Sequence, residues 1–149
     1  MVIFTMTQIE KIEYSRVRLE KALDFLKAAK KTFEIGEYST SANRSYYSVY
    51  YAIRAVLAFE YTEQSKHSGN ISEFRKHYIR TGVFDIVFSD YIQDLFDTRT
   101  QSDYDPVYST TKDDAEEQLQ NACRIVKAIT DYLNIRYEPV KGIRQWPEH

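Results

Sequence analysis

A single cysteine, three prolines and four glycines in 149 residues rule out several architectures at once. Cys123 has no second cysteine to pair with, so neither a disulfide framework nor a multi-cysteine zinc knuckle can form, and a reducing cytoplasmic interior is the expected setting. So few turn-forming residues fit poorly with an all-β sandwich or barrel, whose many short strands need Gly and Pro at their corners. No apolar run approaches the roughly 18 residues that span a membrane, and the opening MVIFTMTQ lacks the basic start of a secretory signal, so no membrane association is expected. Excess charge of one sign is missing too: 20 basic against 22 acidic side chains leave a net charge of -2. A strongly basic field is therefore absent, and only a local cationic patch could serve a nucleic acid.

Familiar catalytic signatures are also missing. There is no Gly-rich phosphate loop, no His-Glu-x-x-His and no Gly-x-Ser-x-Gly turn. The three histidines, His67, His77 and His149, share no metal-ligand spacing. Neither a cofactor nor a metal is expected.

What is present reads as helix. Thr7-Gln8-Ile9-Glu10 has the spacing of a capping box, and behind it Ile12, Leu19, Ala22, Leu23, Leu26 and Phe33 fall on one helical stripe that Gly36 can stop. Ser39 to Ser41 offer N-caps for a second helix running to about Phe59. A loop over 60–70 follows, and Asn70-Ile71-Ser72-Glu73 caps a short third helix to about Ile79, with Gly82 beyond it. The fourth helix, from about Phe84, carries Phe88, Ile92, Leu95 and Phe96 on one stripe and ends near Asp105, because Pro106 disfavours helical geometry in the residue before it. Thr110 or Thr111 caps the fifth, whose acidic first turn suits the helix dipole and whose buried stripe is Leu119, Cys123, Val126, Ile129 and Leu133. Cys123 is thereby a packed small side chain. The tail, 134–149, holds two of the three prolines and the only tryptophan and is expected to be irregular. The pattern predicts an all-α, antiparallel up-and-down bundle of four long helices plus one short helix over residues 1–133.

Two constellations stand out against this frame. Tyrosine supplies 13 residues, and four of them, Tyr46, Tyr47, Tyr50 and Tyr51, lie in a stretch from 39 to 59 whose only charged side chains are Arg44 and Arg54. On a helical wheel Tyr46, Val49, Tyr50, Ile53, Val56 and Leu57 form a core stripe, whereas Tyr47, Tyr51 and Arg54 fall beside Arg44. Ser48, Ala52 and Ala55 occupy the remaining arc and permit close approach of another helix. Alternating guanidinium and phenol groups can stack on bases and grip phosphates, or else serve as amphipathic core tyrosines with rim ion pairs. In the second constellation, Arg99-Thr100-Gln101-Ser102-Asp103-Tyr104-Asp105-Pro106, Arg99 continues the apolar stripe of the fourth helix. A guanidinium there needs a partner, and Asp103 one turn later is the local choice; the pair is either a structural ion pair or an anion site.

The capped first helix, the run 41–58 (SANRSYYSVYYAIRAVLA), Lys66-His67-Ser68-Gly69, then Leu95-Phe96-Asp97 and Arg99 through Asp105 together resemble the HEPN domain family, in particular its small stand-alone prokaryotic members. The resemblance implies a helical bundle that forms a homodimer, commonly partnered with a minimal nucleotidyltransferase in a toxin-antitoxin pair. It also implies metal-independent RNA cleavage in members whose Arg is followed, after four to six residues, by His. Here Tyr104 occupies that place, and a phenol titrating near pH 10 is a weak substitute for imidazole. Arg144 to His149 has the spacing but encloses Pro147 and lies outside the expected bundle. The leading expectation is a binding or regulatory module touching RNA or nucleotide through Asn43, Arg44, Tyr47, Tyr51, Arg54 and His67. The alternatives are a ribonuclease toxin using Arg99, Asp103 and Tyr104, and a structural dimeric adaptor.

Overall fold

Helices that end at Glu34, Glu60 and Tyr104 divide the chain into the elements of the computed structural model, which describes residues 6–61, 63–64, 66–105, 107 and 109–138. These elements are α1 (Met6–Glu34), α2 (Tyr38–Glu60), α3 (His67–Phe74) continued by one π turn (Arg75–Ile79), α4 (Val87–Tyr104) and α5 (Lys112–Tyr137). No strand occurs among the described residues.

Gly36 stops α1 as expected. Its φ of +81° lets its N–H bond the carbonyl of Phe33 at 3.0 Å while Glu37 N–H bonds Thr32 at 2.9 Å, closing a Schellman motif. The chain therefore reverses at once, and α2 begins at Tyr38 behind an N-cap Glu37 whose side chain makes no cap bond. Ser39 to Ser41 are thus inside the helix and are not its caps. Ser41 is fully buried and donates instead to the carbonyl of Ala29 in α1, at 2.8 Å. That bond ties the two helices just beyond their turn.

Side-chain contacts fix the directions of the rest. Ser15, early in α1, donates to the Ala55 carbonyl late in α2 at 2.7 Å and shares a 2.5 Å bond with Tyr137 at the end of α5. Arg99, late in α4, meets Tyr47, early in α2. Thus α1 runs antiparallel to α2 and α5, and α4 runs antiparallel to α2, as an up-and-down bundle requires. Helix α2 touches α1, α3, α4 and α5, which is why it can afford so few charges. Ser48, Ala52 and Ala55 are fully buried, so the small-residue arc does permit close packing.

Four expectations about helix ends and faces need correction. Helix α3 begins at His67, and Asn70 is a buried clamp within it: its side chain accepts from Gln64 N–H at 2.7 Å and donates to the Gln64 carbonyl and the Tyr50 hydroxyl. Helix α4 begins at Val87 because Phe84 is committed elsewhere, its N–H on the Tyr78 carbonyl and its ring against Phe74 and Tyr78. In α5, capped by Thr111 through the Asp114 N–H, the buried face centres on Ala115, Ala122, Ile125, Val126, Ile129 and Leu133, while Leu119 and Cys123 sit half-buried at its edge. Helix α5 also continues through Tyr137, so 134–137 are helical and not irregular. Pro106 and residues 139–149, with Arg144, Pro147 and His149, lie outside the described residues. No described helix is long and apolar enough to cross a membrane.

Candidate functional site

Leu95 is buried against the core, and Arg99, one turn later on α4, inherits its direction; the Arg99 side chain is 13% exposed. Its guanidinium carbon lies 5.0 Å from the Tyr46 ring centre and 5.4 Å from that of Tyr47, and Nη2 donates to the Tyr47 hydroxyl at 3.0 Å. The expected pairing with Asp103 is present, Nε standing 3.3 Å from Oδ2, but the approach is off the N–H axis. The buried Nε–H consequently has no hydrogen-bond acceptor among the described residues. A half-satisfied buried cation is unusual, because an unmade charged hydrogen bond is costly.

The histidine that joins this arginine is His67. As the first residue of α3 it lays its ring on that of Tyr50, centres 3.9 Å apart, with Nδ1 3.3 Å from the Tyr46 hydroxyl and the Tyr47 ring edge-on. Burial, then the positive charges of Arg99 and Arg54, hold its pKa below the ordinary histidine value. The Tyr46 phenol is pushed up to about 12 by burial, which the Arg99 charge partly opposes, so it stays protonated at neutral pH. Tyr104, by contrast, is 74% exposed at the end of α4 and makes no hydrogen bond or ring contact among the described residues. The structure does not gather it with Arg99. Tyr104 thus stands apart from the Arg99 and Asp103 with which it was grouped as a candidate, and the titratable ring near Arg99 is that of His67 on α3.

The remaining candidates divide into two groups. Asn43 and Arg44 line an open groove of about 310 Å³ with Ser39, Thr40, Ser102 and Asp103, between the start of α2 and the end of α4; Arg44 donates to Asn43 Oδ1 at 2.6 Å. Tyr47 and Tyr51 turn toward α1, where both rings pack on Phe25 at 5.7 and 5.5 Å. Cations flank this aromatic row: Arg44 over Phe25, Lys21 over Tyr51 at 4.7 Å, and Arg54 over Tyr51 at 5.1 Å. Arg54 also pairs with Glu63 at 2.8 Å. The half-buried face of α1 and α2 thus interleaves rings and cations from Arg44 to Arg54, with Arg99 beside it.

Tyr46 and Tyr50 are buried in the core, as expected, and their rings also carry Arg99 and His67, while Lys21 and Phe25 complete the row. Their four-residue spacing on α1 was readable, but the register of α1 against α2 was not. Such a surface can hold anions at Arg99 and Arg44 and stack planar groups along the rings. Among the described residues no three His, Cys, Asp or Glu side chains gather as metal ligands would.

Comparison with known proteins agrees with this architecture. A protein of Methanocaldococcus jannaschii named "Putative toxin" is 30% identical over 115 residues, covering 77% of this chain and 78% of its own. A second protein of that organism with the same description is 28% identical, covering 77% and 88%. A "UPF0332 protein" of Thermotoga maritima is 27% identical, covering 83% and 92%. Residues 15–134, which hold every candidate residue above, match the family described as HEPN domain, and the chain belongs to that family.

Proposed function

We propose that this chain is the HEPN half of a toxin-antitoxin-like pair and that it binds single-stranded RNA on the aromatic and cationic face of α1 and α2, with Arg99 taking a backbone phosphate. The observation that carries the reading is the Arg99 guanidinium, 13% exposed and held on the rings of Tyr46 and Tyr47, whose Nε–H is accepted by no described residue even with Asp103 Oδ2 at 3.3 Å. The interleaved rings of Phe25, Tyr47 and Tyr51 supply stacking that tolerates any base. A net charge of -2 directs the ligand to this patch and not to the surface at large. Fluorescence anisotropy with a labelled oligouridylate tests it. Arg99→Met should weaken binding about tenfold or more and lower the salt slope by about 0.7, the share of one phosphate on a single strand. Unchanged affinity in Arg99→Met, or no binding by the wild type, overturns the reading.

The names of the relatives in Methanocaldococcus jannaschii support the toxin-like role, while the homodimer and the nucleotidyltransferase partner are what the resemblance to small stand-alone HEPN proteins implies. Light scattering of the purified chain should give twice the monomer mass. Co-expression with a nucleotidyltransferase encoded beside it should yield a co-purifying complex, and separate elution would count against the pairing.

One observation favours a second reading, RNA cleavage without metal: His67 lies beside Arg99 with a lowered pKa and is neutral at pH 7. With Nδ1 donating to Tyr46, its Nε2 could take the proton of a ribose 2'-hydroxyl. The 2'-oxygen then bonds the adjacent phosphorus, the bond to the 5'-oxygen breaks, and that oxygen takes a proton from water. Cleavage in EDTA that leaves 2',3'-cyclic phosphate ends, lost in His67→Gln and kept in Tyr104→Phe, would establish it; intact RNA after incubation would dismiss it.

A further inference from the structure

Arg18 on α1 and Arg54 on α2 converge on one atom. Arg18 Nε is 2.6 Å and Arg54 Nε 2.8 Å from the same oxygen, Oε1 of Glu63, in a trio whose side chains are 21 to 27% exposed. Glu63 belongs to no helix. Both guanidiniums are held by other means: Arg18 lies over the Tyr14 ring and donates to the Tyr14 carbonyl at 3.1 Å, and Arg54 lies over the rings of Tyr51 and Tyr50. Two cations are therefore pre-positioned by helices, rings and a backbone carbonyl, and a single carboxylate oxygen answers both.

The place occupied by that oxygen suits a larger anion. A phosphate group offers several acceptor oxygens to the two guanidinium forks where Glu63 Oε1 meets only one N–H of each. The trio keeps one net positive charge, Lys21 stands over the adjoining Tyr51 ring, and Arg54 also bears on His67 through its charge. The site thus lies at one end of the aromatic row, with Arg44 and Arg99 toward the other.

We propose that Arg18 and Arg54 form a second phosphate-binding site and that Glu63 fills it as an intramolecular competitor when no phosphate is bound. That the phosphate belongs to RNA rests on the function proposed above; the site itself rests on the two arginines and their shared oxygen. A competitor that occupies the site most of the time lowers apparent affinity by the fraction of time the site is free, so its removal should tighten binding.

The test compares wild type, Glu63→Gln and Glu63→Gln/Arg54→Gln, with melting curves to verify folding and Glu63→Asp as a milder variant should Glu63→Gln fold poorly. Each is titrated with inorganic pyrophosphate and with labelled oligouridylate. Glu63→Gln should bind both about three- to tenfold more tightly than wild type, with a steeper salt dependence for the RNA, and the Arg54→Gln change should cancel the gain. Pyrophosphate affinity that rises in Glu63→Gln while no form binds RNA upholds this site and removes the RNA reading. RNA bound equally by wild type and Glu63→Gln, with no gain for pyrophosphate, leaves the RNA reading standing and overturns the proposal.

Discussion

Replacing Arg99 by methionine separates a ligand-binding arginine from a structural one. Methionine keeps most of the bulk that packs on Tyr46 and Tyr47 and removes the charge and its donors. The losses are one hydrogen bond to the Tyr47 hydroxyl and two ring contacts at 5.0 and 5.4 Å, at about 0.5–1.5 kcal/mol for each kind of contact. The pair with Asp103, whose side chain is 35% exposed, adds about 0–1 kcal/mol. Against these stands relief from burying a guanidinium whose Nε–H has no acceptor among the described residues, of the order of 1–3 kcal/mol. The losses come to about 1–4 kcal/mol, so the net change lies between about 2 kcal/mol gained and about 3 kcal/mol lost, and the melting temperature should fall by no more than about 10 °C in a domain of this size. Affinity for oligouridylate should drop at least about tenfold in the same preparation. A structural buried pair behaves otherwise, since breaking one costs about 3–5 kcal/mol. A fall in melting temperature beyond about 10 °C, measured by circular dichroism, would refute the reasoning.

Further outcomes follow from other parts of the molecule. His67 has a folded pKa below its ordinary value, so the unfolded chain binds more protons as pH falls through about 6.5, and stability is lost on acidification until the folded pKa is passed. His67→Asn should flatten the decline in melting temperature between about pH 7 and 5, and in Arg99→Met the His67 pKa read by NMR should rise. Glu60 Oε1 accepts from the hydroxyls of Tyr78 at 2.8 Å and Tyr132 at 2.5 Å, so Glu60→Gln, which keeps the acceptor and loses its charge, should cost about 1–2 kcal/mol and lower the melting temperature by about 2–8 °C. Gly36→Ala places a Cβ at a φ of +81° with open space around it, so backbone strain alone should cost about 1 kcal/mol in urea unfolding. Tyr104→Ala touches nothing described and should leave stability within about 0.5 kcal/mol.

Much of this was legible where a local rule decides the outcome. Gly36 needs a left-handed backbone, Thr111 meets the Asp114 N–H, and the charge-poor second helix is the one that touches α1, α3, α4 and α5. Where a tertiary contact competes with a local one, the local reading fails. Ser41 and Asn70 are good capping residues, yet the Ala29 carbonyl and the Tyr50 hydroxyl claim their side chains, and the helices start elsewhere. The site followed the same division. The wheel separated Tyr46 and Tyr50 from Tyr47 and Tyr51 correctly, and the spacing of Arg99 and Asp103 gave their pairing. That His67 would lie on Tyr50, or that Phe25 would lie between Tyr47 and Tyr51, depends on contacts between elements, which one sequence does not encode locally.

The tyrosine content has a physical rationale in this arrangement. A cation taken into a bundle needs partners, and a carboxylate at hydrogen-bond distance offsets its charge, as Glu63 does in part for Arg18 and Arg54. A phenol ring offers a π face and a hydroxyl without a charge, so it can hold a guanidinium or an imidazole in place and leave its electrostatic reach intact. Arg99 is held in this way by Tyr46 and Tyr47, with its carboxylate partner off-axis at the rim, and its charge still depresses the pKa of His67. An acid in the place of Tyr47 would bind Arg99 more tightly and leave nothing for a ligand. Four tyrosines in one turn-and-a-half of α2 therefore suit an arginine positioned to meet an anion better than one that serves only to close the bundle.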